Sequence, residues 1–177
     1  MQITLNQVRL SYVTVFEGTL GEDGRRSWGL TALVPKNHPQ VSAIKAAIES
    51  TKAANVTKLG TSGIKSCLLD GDARDEDGTY RFKDESARGH LLLRCKSYNR
   101  RPVLVDQNVQ SILDADQLYS GCYANVRIGF YAWSSKTGKG ISPGLEAVQK
   151  VRDGERLGAG GLNANEVFSA LTEDFLS

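Results

Sequence analysis

One segment of the sequence alternates strictly between apolar side chains and a mixture of aromatic, basic and polar ones. Every second residue from 122 to 132 is apolar, and the residues that alternate with them, from 123 to 133, include Tyr123, Arg127, Tyr131 and Trp133. In a β-strand this alternation places the two sets on opposite faces. Unpaired nucleic-acid bases stack on aromatic rings, and their phosphates bind arginine and lysine. The outward face of this strand therefore predicts a surface for single-stranded nucleic acid.

A second segment, residues 90–100, repeats this composition. Its leucines at 91 and 93 share a face with Cys95, and its basic residues and Tyr98 share the other face. The turn after Trp133 adds two lysines; it predicts a basic hairpin tip that contacts phosphate, and a plain surface turn fits it equally well. The predicted nucleic-acid-binding residues are Arg94, Lys96, Tyr98, Arg100, Arg101, Tyr123, Arg127, Tyr131, Trp133, Lys136 and Lys139.

The same aromatic face has a second explanation. Aromatic residues and arginine are also enriched where protein subunits meet. The residues therefore leave open a non-enzymatic assembly or adaptor protein, such as a homodimer, whose aromatic strand face is the subunit interface. Since the basic residues accompany the rings on both segments, the nucleic-acid interpretation is preferred.

No set of residues indicates catalysis. The sequence contains no GxSxG or HExxH motif, the patterns that mark common hydrolase sites. An acidic run at 70–78 departs from a calcium-binding loop, because Asp75 stands where that loop needs glycine and Arg81 where it needs a bidentate glutamate. We expect a solvated acidic turn, no metal, no cofactor and no enzymatic activity. The weaker alternative is a metal-dependent nuclease that uses Asp70, Asp72, Asp75 and Asp77.

Composition limits the class of protein. The chain has 177 residues, 18 glycines and only four prolines, which suits one β-rich domain with many tight turns. Its three cysteines are widely spaced and form no CxxC pair, so reduced thiols are expected. The N-terminus does not resemble a signal peptide, and no apolar stretch approaches the ~20 residues of a membrane helix. These features predict a cytoplasmic protein without membrane contact.

The charge is unevenly distributed along the chain. Residues 157–177 hold three of the 20 acidic residues and no Lys or Arg, so the preceding part carries 22 basic against 17 acidic residues. A glycine-containing stretch at 158–161 predicts a flexible linker. We therefore predict a nucleic-acid-binding domain at 1–157 and a linker with an acidic tail at 158–177.

The elements that must position these faces are mainly strands. Alternation predicts strands at 2–16, 26–34 and 144–152, in addition to the two aromatic segments. One helix is predicted to begin near Pro39, with Asn37 as its cap, and to pack on the sheet; its apolar stripe consists of Val41, Ile44, Ala47, Ile48 and Thr51. The polar residues that follow, 57–89, are predicted to form loops. The inventory of five or six strands and one helix predicts a mainly β, OB-fold-like barrel.

Several short segments, in this order and spacing, resemble a family of single-stranded-DNA-binding proteins from tailed phages. The resemblance extends over most of the chain and is densest between residues 67 and 158. No single motif is specific by itself. The segments that carry the resemblance are 69–72 (LDGD), 101–106 (RPVLVD), 119–125 (YSGCYAN), 138–140 (GKG) and 145–158.

This resemblance implies an OB fold that binds DNA without sequence preference during phage replication or recombination, in the cytoplasm of the infected bacterium. It also implies that the acidic end, with Glu173, Asp174 and Phe175, contacts replication proteins. In this chain the tail holds few acidic residues compared with the family pattern. The choice of single-stranded DNA as the ligand comes from this resemblance, because rings and cations suit RNA as well.

Overall fold

The computed structural model describes residues 1–157. The predicted linker and acidic tail at 158–177 lie outside the described residues. No helix within 1–157 has the length and apolar character needed to cross a membrane. Two helices lie between the second and third strands, α1 (Val41–Ala54) and α2 (Val56–Leu59). The eight strands of this range are β1 (Gln2–Leu20), β2 (Arg26–Pro35), β3 (Ile64–Lys65), β4 (Leu68–Asp70), β5 (His90–Tyr98), β6 (Val103–Val105), β7 (Tyr123–Ser135) and β8 (Gly138–Arg152).

Five of the strands close a barrel. Antiparallel pairs join β1 to β2 and β7, β2 to β5, and β7 to β8. A parallel contact between Lys96 of β5 and Gly144 of β8 joins the two ends of this sheet. In chain order, the third and fifth barrel strands therefore meet in parallel. This closed, mainly β barrel with one main helix confirms the predicted OB-like fold.

The first strand bends around the barrel. β1 has 19 residues and pairs with both β2 and β7. Two of its register shifts lie at Gln7 and Tyr12, whose φ angles are 52° and 50°. Non-glycine residues rarely adopt this left-handed region. Bulges of this kind leave a residue unpaired, bend the strand and increase its twist, which lets one strand border two neighbours.

The inward side chains form one core. The predicted alternation of β7 is confirmed, since its apolar set points inward and most of it is fully buried. The predicted stripe of α1 packs on the same core, and the helix contacts β7, β1 and β8. Each fully buried aliphatic side chain stabilises the fold by about 1.5–3 kcal/mol. Burial of the inward set therefore determines which residues of β7 point outward. The residues with no exposed surface include Cys122, Ala124, Val126 and Ile128.

The sequence interpretation misses several short elements. The predicted loops at 57–89 contain α2, β3 and β4, each of four residues or fewer, which is too short to show a period. β8 begins at Gly138, six residues before the predicted start. Gly140 interrupts the alternation that would otherwise mark this start in the sequence. The structure explains the glycine, because a Cβ at this position would lie 2.8 Å from the carbonyl oxygen of Lys65. Only glycine allows β3 to pair so closely alongside β8.

The residue at the N-cap position of the main helix is not the predicted one. Gln40, and not Asn37, precedes α1, and its side chain makes no capping hydrogen bond. The Gln40 amide instead binds β1: it donates to the carbonyl oxygen of Thr4 at 2.8 Å and accepts from the backbone N–H of Asn6 at 2.8 Å. This residue therefore fixes the helix to the barrel at the expense of a local cap.

Candidate nucleic-acid interface

A continuous groove crosses the outside of the barrel, from β2 and β5 onto β7 and β8. Three adjoining depressions form it: the first shares Lys96 with the second, and the second shares Ser97 and Glu146 with the third. In OB barrels, the second and third strands bind oligonucleotides together with the turns after the first and fourth strands. Here those strands are β2 and β5. The rings and cations that line the groove are Tyr12, Arg94, Lys96, Tyr98, Arg100, Arg101, Arg127 and Tyr131.

Two tyrosines form the middle of the groove. Tyr98 of β5 and Tyr131 of β7 are 42% and 41% exposed. Arg25, in the turn between β1 and β2, places its Cζ 4.9 Å from the centroid of the Tyr98 ring. Partial burial, with a contribution from the neighbouring Tyr98, raises the pKa of Tyr131, so this phenol is neutral at physiological pH. Two rings with accessible surface thus line the same part of the groove.

Two cations continue the groove along β5. Arg94 and Lys96 point outward, two residues apart and therefore about 6.8 Å from each other along the strand. Their partners on β2 are small, Thr31 and Gly29. A Cβ on Gly29 would lie 3.3 Å from Lys96 Cγ. Within residues 1–157 neither cation forms an ion pair, so both charges are available to a ligand.

The third part of the groove contains three arginines and one carboxylate. Arg100 and Arg101 follow β5, and the Cζ of Arg101 lies 5.1 Å from the centroid of the Phe16 ring. Arg127 donates from Nε to Glu146 Oε2 at 3.3 Å. Because Glu146 compensates its charge, Arg127 attracts phosphate less strongly than its position suggests.

Three predicted residues lie beside the groove and not in it. Trp133 is the next outward residue of β7 after Tyr131, but it is half-buried, and Lys65 Nζ lies 5.9 Å from its ring centroid. Lys136 is exposed in the turn between β7 and β8. Lys139 lies in β8 opposite β3. Together they form a second basic surface at the hairpin end of β7.

Tyr123 is separated from the other predicted residues. It lies eight residues from Tyr131 on the same face of β7, about 27 Å away at about 3.4 Å per residue. Arg152 and Arg9 place their Cζ atoms 3.6 and 5.8 Å from its ring centroid. A Cβ on Gly154 would lie 2.9 Å from its Cε2. This half-buried ring is therefore partly covered by side chains of the protein itself.

Two residues of the groove and its rim were missed by the sequence analysis. Tyr12 is 67% exposed and lines the groove next to Arg94; regular alternation in β1 places it inward, and only the bulge turns it out. Arg25 contacts Tyr98 from the preceding turn. The turn at 21–25 (GEDGR) holds two glycines and two acidic residues beside Arg25, and its sequence gives no sign of which ring lies beneath it.

The acidic run at 70–78 has a structural role. Lys36 Nζ contacts Asp70 Oδ1 at 2.7 Å and Asp72 Oδ2 at 2.6 Å, and these hydrogen bonds lower the pKa of both carboxyls. Asp75 and Asp77 accept hydrogen bonds from side chains of their own loop. In the part of the chain that the structure describes, no group of three or more His, Cys, Asp or Glu is placed to hold a metal ion.

The closed barrel and the aromatic, basic groove over its second and third strands define the class as an OB-fold protein. A family model described as "Enterobacter phage Enc34, ssDNA-binding protein" matches residues 1–176. The chain belongs to this family, which confirms the resemblance found in the sequence. A relative named p50, from Acyrthosiphon pisum secondary endosymbiont phage 1, is 33% identical over 184 residues, 97% of this chain and 95% of the relative.

Solved structures show the same architecture. The single-stranded DNA-binding protein from bacteriophage Enc34 in complex with ssDNA superimposes with a TM-score of 0.73 at 26% identity, covering 89% of each chain. The same phage protein described without DNA gives 0.72 at 24% identity, covering 95% of this chain and 90% of the other. The single-stranded DNA-binding protein gp2.5 of bacteriophage T7 gives 0.60 at 14% identity over 90% of this chain and 91% of the other; at that identity the match shows the fold alone.

Proposed function

We propose that the chain binds single-stranded DNA without sequence preference in the groove that runs from β2 and β5 onto β7 and β8. The observation that carries this proposal is the meeting of Tyr98 and Tyr131 at the middle of the groove, with Arg25, Arg94 and Lys96 around them. Membership of the family, and the likeness to a solved complex with ssDNA, support the choice of ligand.

In this proposal the rings hold bases and the cations hold phosphates. Stacking of a base on an aromatic ring contributes about 1–3 kcal/mol and tolerates any sequence, because every base has a π-face. Arg94 and Lys96 lie on one side of the ring pair and bind the phosphate backbone of the DNA. Phosphate binding releases counterions from DNA, so affinity falls as salt rises.

We further propose a role for the whole chain in phage biology. It protects single-stranded DNA during replication and recombination in the cytoplasm of the infected bacterium, without enzymatic activity. The acidic tail, through Glu173, Asp174 and Phe175, contacts replication proteins. The resemblance of the sequence to the phage family supports these finer statements.

A fluorescence titration of labelled oligo-dT with the full chain, at increasing salt, tests the proposal. The logarithm of the binding constant should fall linearly with the logarithm of salt concentration, with a slope near −0.7 for each phosphate neutralised. Binding that does not depend on salt would contradict the assignment of the cations. Parallel titrations with oligo-U and with duplex of equal length identify the preferred nucleic acid.

Size-exclusion chromatography separates this proposal from the assembly alternative. The chain is run alone and with oligo-dT, and the absorbance ratio at 260 and 280 nm reports bound DNA. We expect the oligonucleotide to elute with the protein. A homodimer or larger oligomer that excludes oligo-dT from its peak would favour an aromatic face used as a subunit interface.

A further inference from the structure

Next to the groove, a second cleft lies between the barrel and the segment at 71–89. We name it the side cleft; its walls include the rings of Tyr12 and Phe82 and the cations Arg94 and Lys83. Tyr12 and Arg94 also line the first part of the groove. The side cleft is therefore a continuation of the groove, with the same combination of rings and cations.

The bulge in β1 directs Tyr12 toward this cleft. Ser11 pairs with Thr31 of β2, but the next paired residue on β1 is Thr14, opposite Gly29. In regular pairing Tyr12 would point into the barrel, because its neighbour Ser11 lies on the outward side. With φ of 50° it is instead 67% exposed. Such backbone conformations cost free energy and recur at binding sites, and the bulge holds the ring where a ligand can reach it.

The opposite wall is held in place by the segment at 71–89. Arg88 donates hydrogen bonds to the carbonyl oxygens of Gly71 and Phe82, and Lys36 forms ion pairs with the acidic run of the same segment. Phe82 packs against a small buried apolar cluster, and Arg94 Cζ lies 5.7 Å from its ring centroid. The cleft is thus built before any ligand arrives.

The charges of the side cleft favour an anion. Lys83 is exposed and, like Arg94, forms no ion pair within residues 1–157. Arg81 is paired with Asp75 at 3.2 Å. The carboxylate of Asp84 accepts the backbone N–H of Ser86 at 3.0 Å. Two cations of the cleft, Arg94 and Lys83, therefore have no ion-pair partner within residues 1–157 and remain for phosphate, against the single carboxylate of Asp84.

We propose that the side cleft binds one further base of single-stranded DNA on the ring of Tyr12, with Phe82 closing the cleft and Arg94 and Lys83 on the flanking phosphates. This inference rests on the proposed function. It extends the DNA path beyond the face of β2 and β5 and onto the segment at 71–89. The site is then longer than the groove alone, so oligonucleotide length should separate the two parts.

Tyr12→Ala tests the ring, and Tyr12→Phe is the matched control because it keeps the ring. Tyr12→Ala should weaken binding of oligo-dT of about 16 nucleotides by about 5- to 150-fold. The comparison of lengths is made with Lys83→Ala, because Lys83 lines the side cleft and not the groove; this variant should weaken binding of the longer oligonucleotide and leave binding of about four nucleotides unchanged. Tyr12→Phe should bind both lengths as the wild type does. Since the side chain is largely exposed, circular dichroism should show an intact fold for each variant.

Lys83→Ala tests the charge independently of the bulge. The salt slope for the longer oligonucleotide should decrease by about 0.7, while Lys45→Ala, an exposed change on α1, should not alter it. If the wild type binds neither length, the proposed function itself is wrong. If the wild type binds both lengths, and both Tyr12→Ala and Lys83→Ala match it on the longer one, the groove stands and the side cleft is not part of the site.

Discussion

Tyr131 and Tyr123 lie on the same outward face of β7, yet their surroundings differ. Arg9 and Arg152 stack on Tyr123 at one end of the strand. At the other end Tyr131 lies beside Tyr98, and both rings keep about two fifths of their surface exposed. Both regions combine rings with cations. The difference is that two arginines lie over Tyr123, whereas one, Arg25, lies over Tyr98 and, within residues 1–157, none lies over Tyr131.

This comparison shows what an aromatic and basic strand face can mean. A half-buried ring with two arginine side chains over it offers less surface to a base, and its contacts stabilise the barrel. A ring with free surface and cations to the side offers both parts of a nucleic-acid site. The arrangement around the ring therefore decides between a structural and a binding role.

The largest expected effect is on DNA affinity at the groove end. Tyr131→Ala should weaken oligo-dT binding by about 1–3 kcal/mol, because a stacked base loses its platform. A fluorescence titration measures the change, with Tyr131→Phe as the control that keeps the ring. Trp133→Ala should weaken binding less, since Lys65 already lies over its ring. Unchanged affinity in both alanine variants would show that the outward rings of β7 are not part of the DNA interface.

The opposite result is expected at the other end of the strand. Tyr123→Ala should lower the free energy of unfolding by about 1–2 kcal/mol, because two cation–π contacts of about 0.5–1 kcal/mol each are lost. Its affinity for oligo-dT should match the wild type. Urea denaturation and titration of the same preparation measure the two effects. A loss of affinity with unchanged stability would reverse the roles assigned to the two tyrosines.

Removal of an unpaired cation should change the salt dependence of binding more than removal of a cation that forms an ion pair. Lys96→Ala should reduce the salt slope of binding by about 0.7, because no carboxylate within residues 1–157 pairs with it. Arg127→Ala should change the slope less, since Glu146 already compensates this guanidinium. Titrations at four or more salt concentrations give both slopes. Equal slopes for the two variants would show that the ion pair opens when DNA binds.

The smallest effect is expected from the acidic end. Removal of residues 158–177 takes away three carboxylates that would compete with phosphate for the cations beside the exposed rings. Affinity for oligo-dT should therefore stay equal or rise. A large loss of affinity in the truncated chain would instead make the tail part of the binding site.

The sequence could predict which side chains share a face, because alternation has a period of two residues and burial enforces it. The barrel strands followed from that rule, and the helix stripe followed from the 3.6-residue period of an α-helix. The sequence could not predict that Tyr123 is partly covered, since Arg9 and Arg152 come from distant parts of the chain. Nor could it predict Tyr12 in the groove, because a bulge reverses the direction of one side chain without leaving a pattern.

Photochemical crosslinking tests the central claim most directly. Oligo-dT with 5-iodouracil in place of thymine is bound to the full chain, irradiated, and the crosslinked residues are identified by mass spectrometry. The rings that stack on bases should react, so we expect crosslinks at Tyr98 and Tyr131 and none at Tyr123. Crosslinks at Tyr123, with none at Tyr98 or Tyr131, would contradict the assignment of the groove as the DNA site.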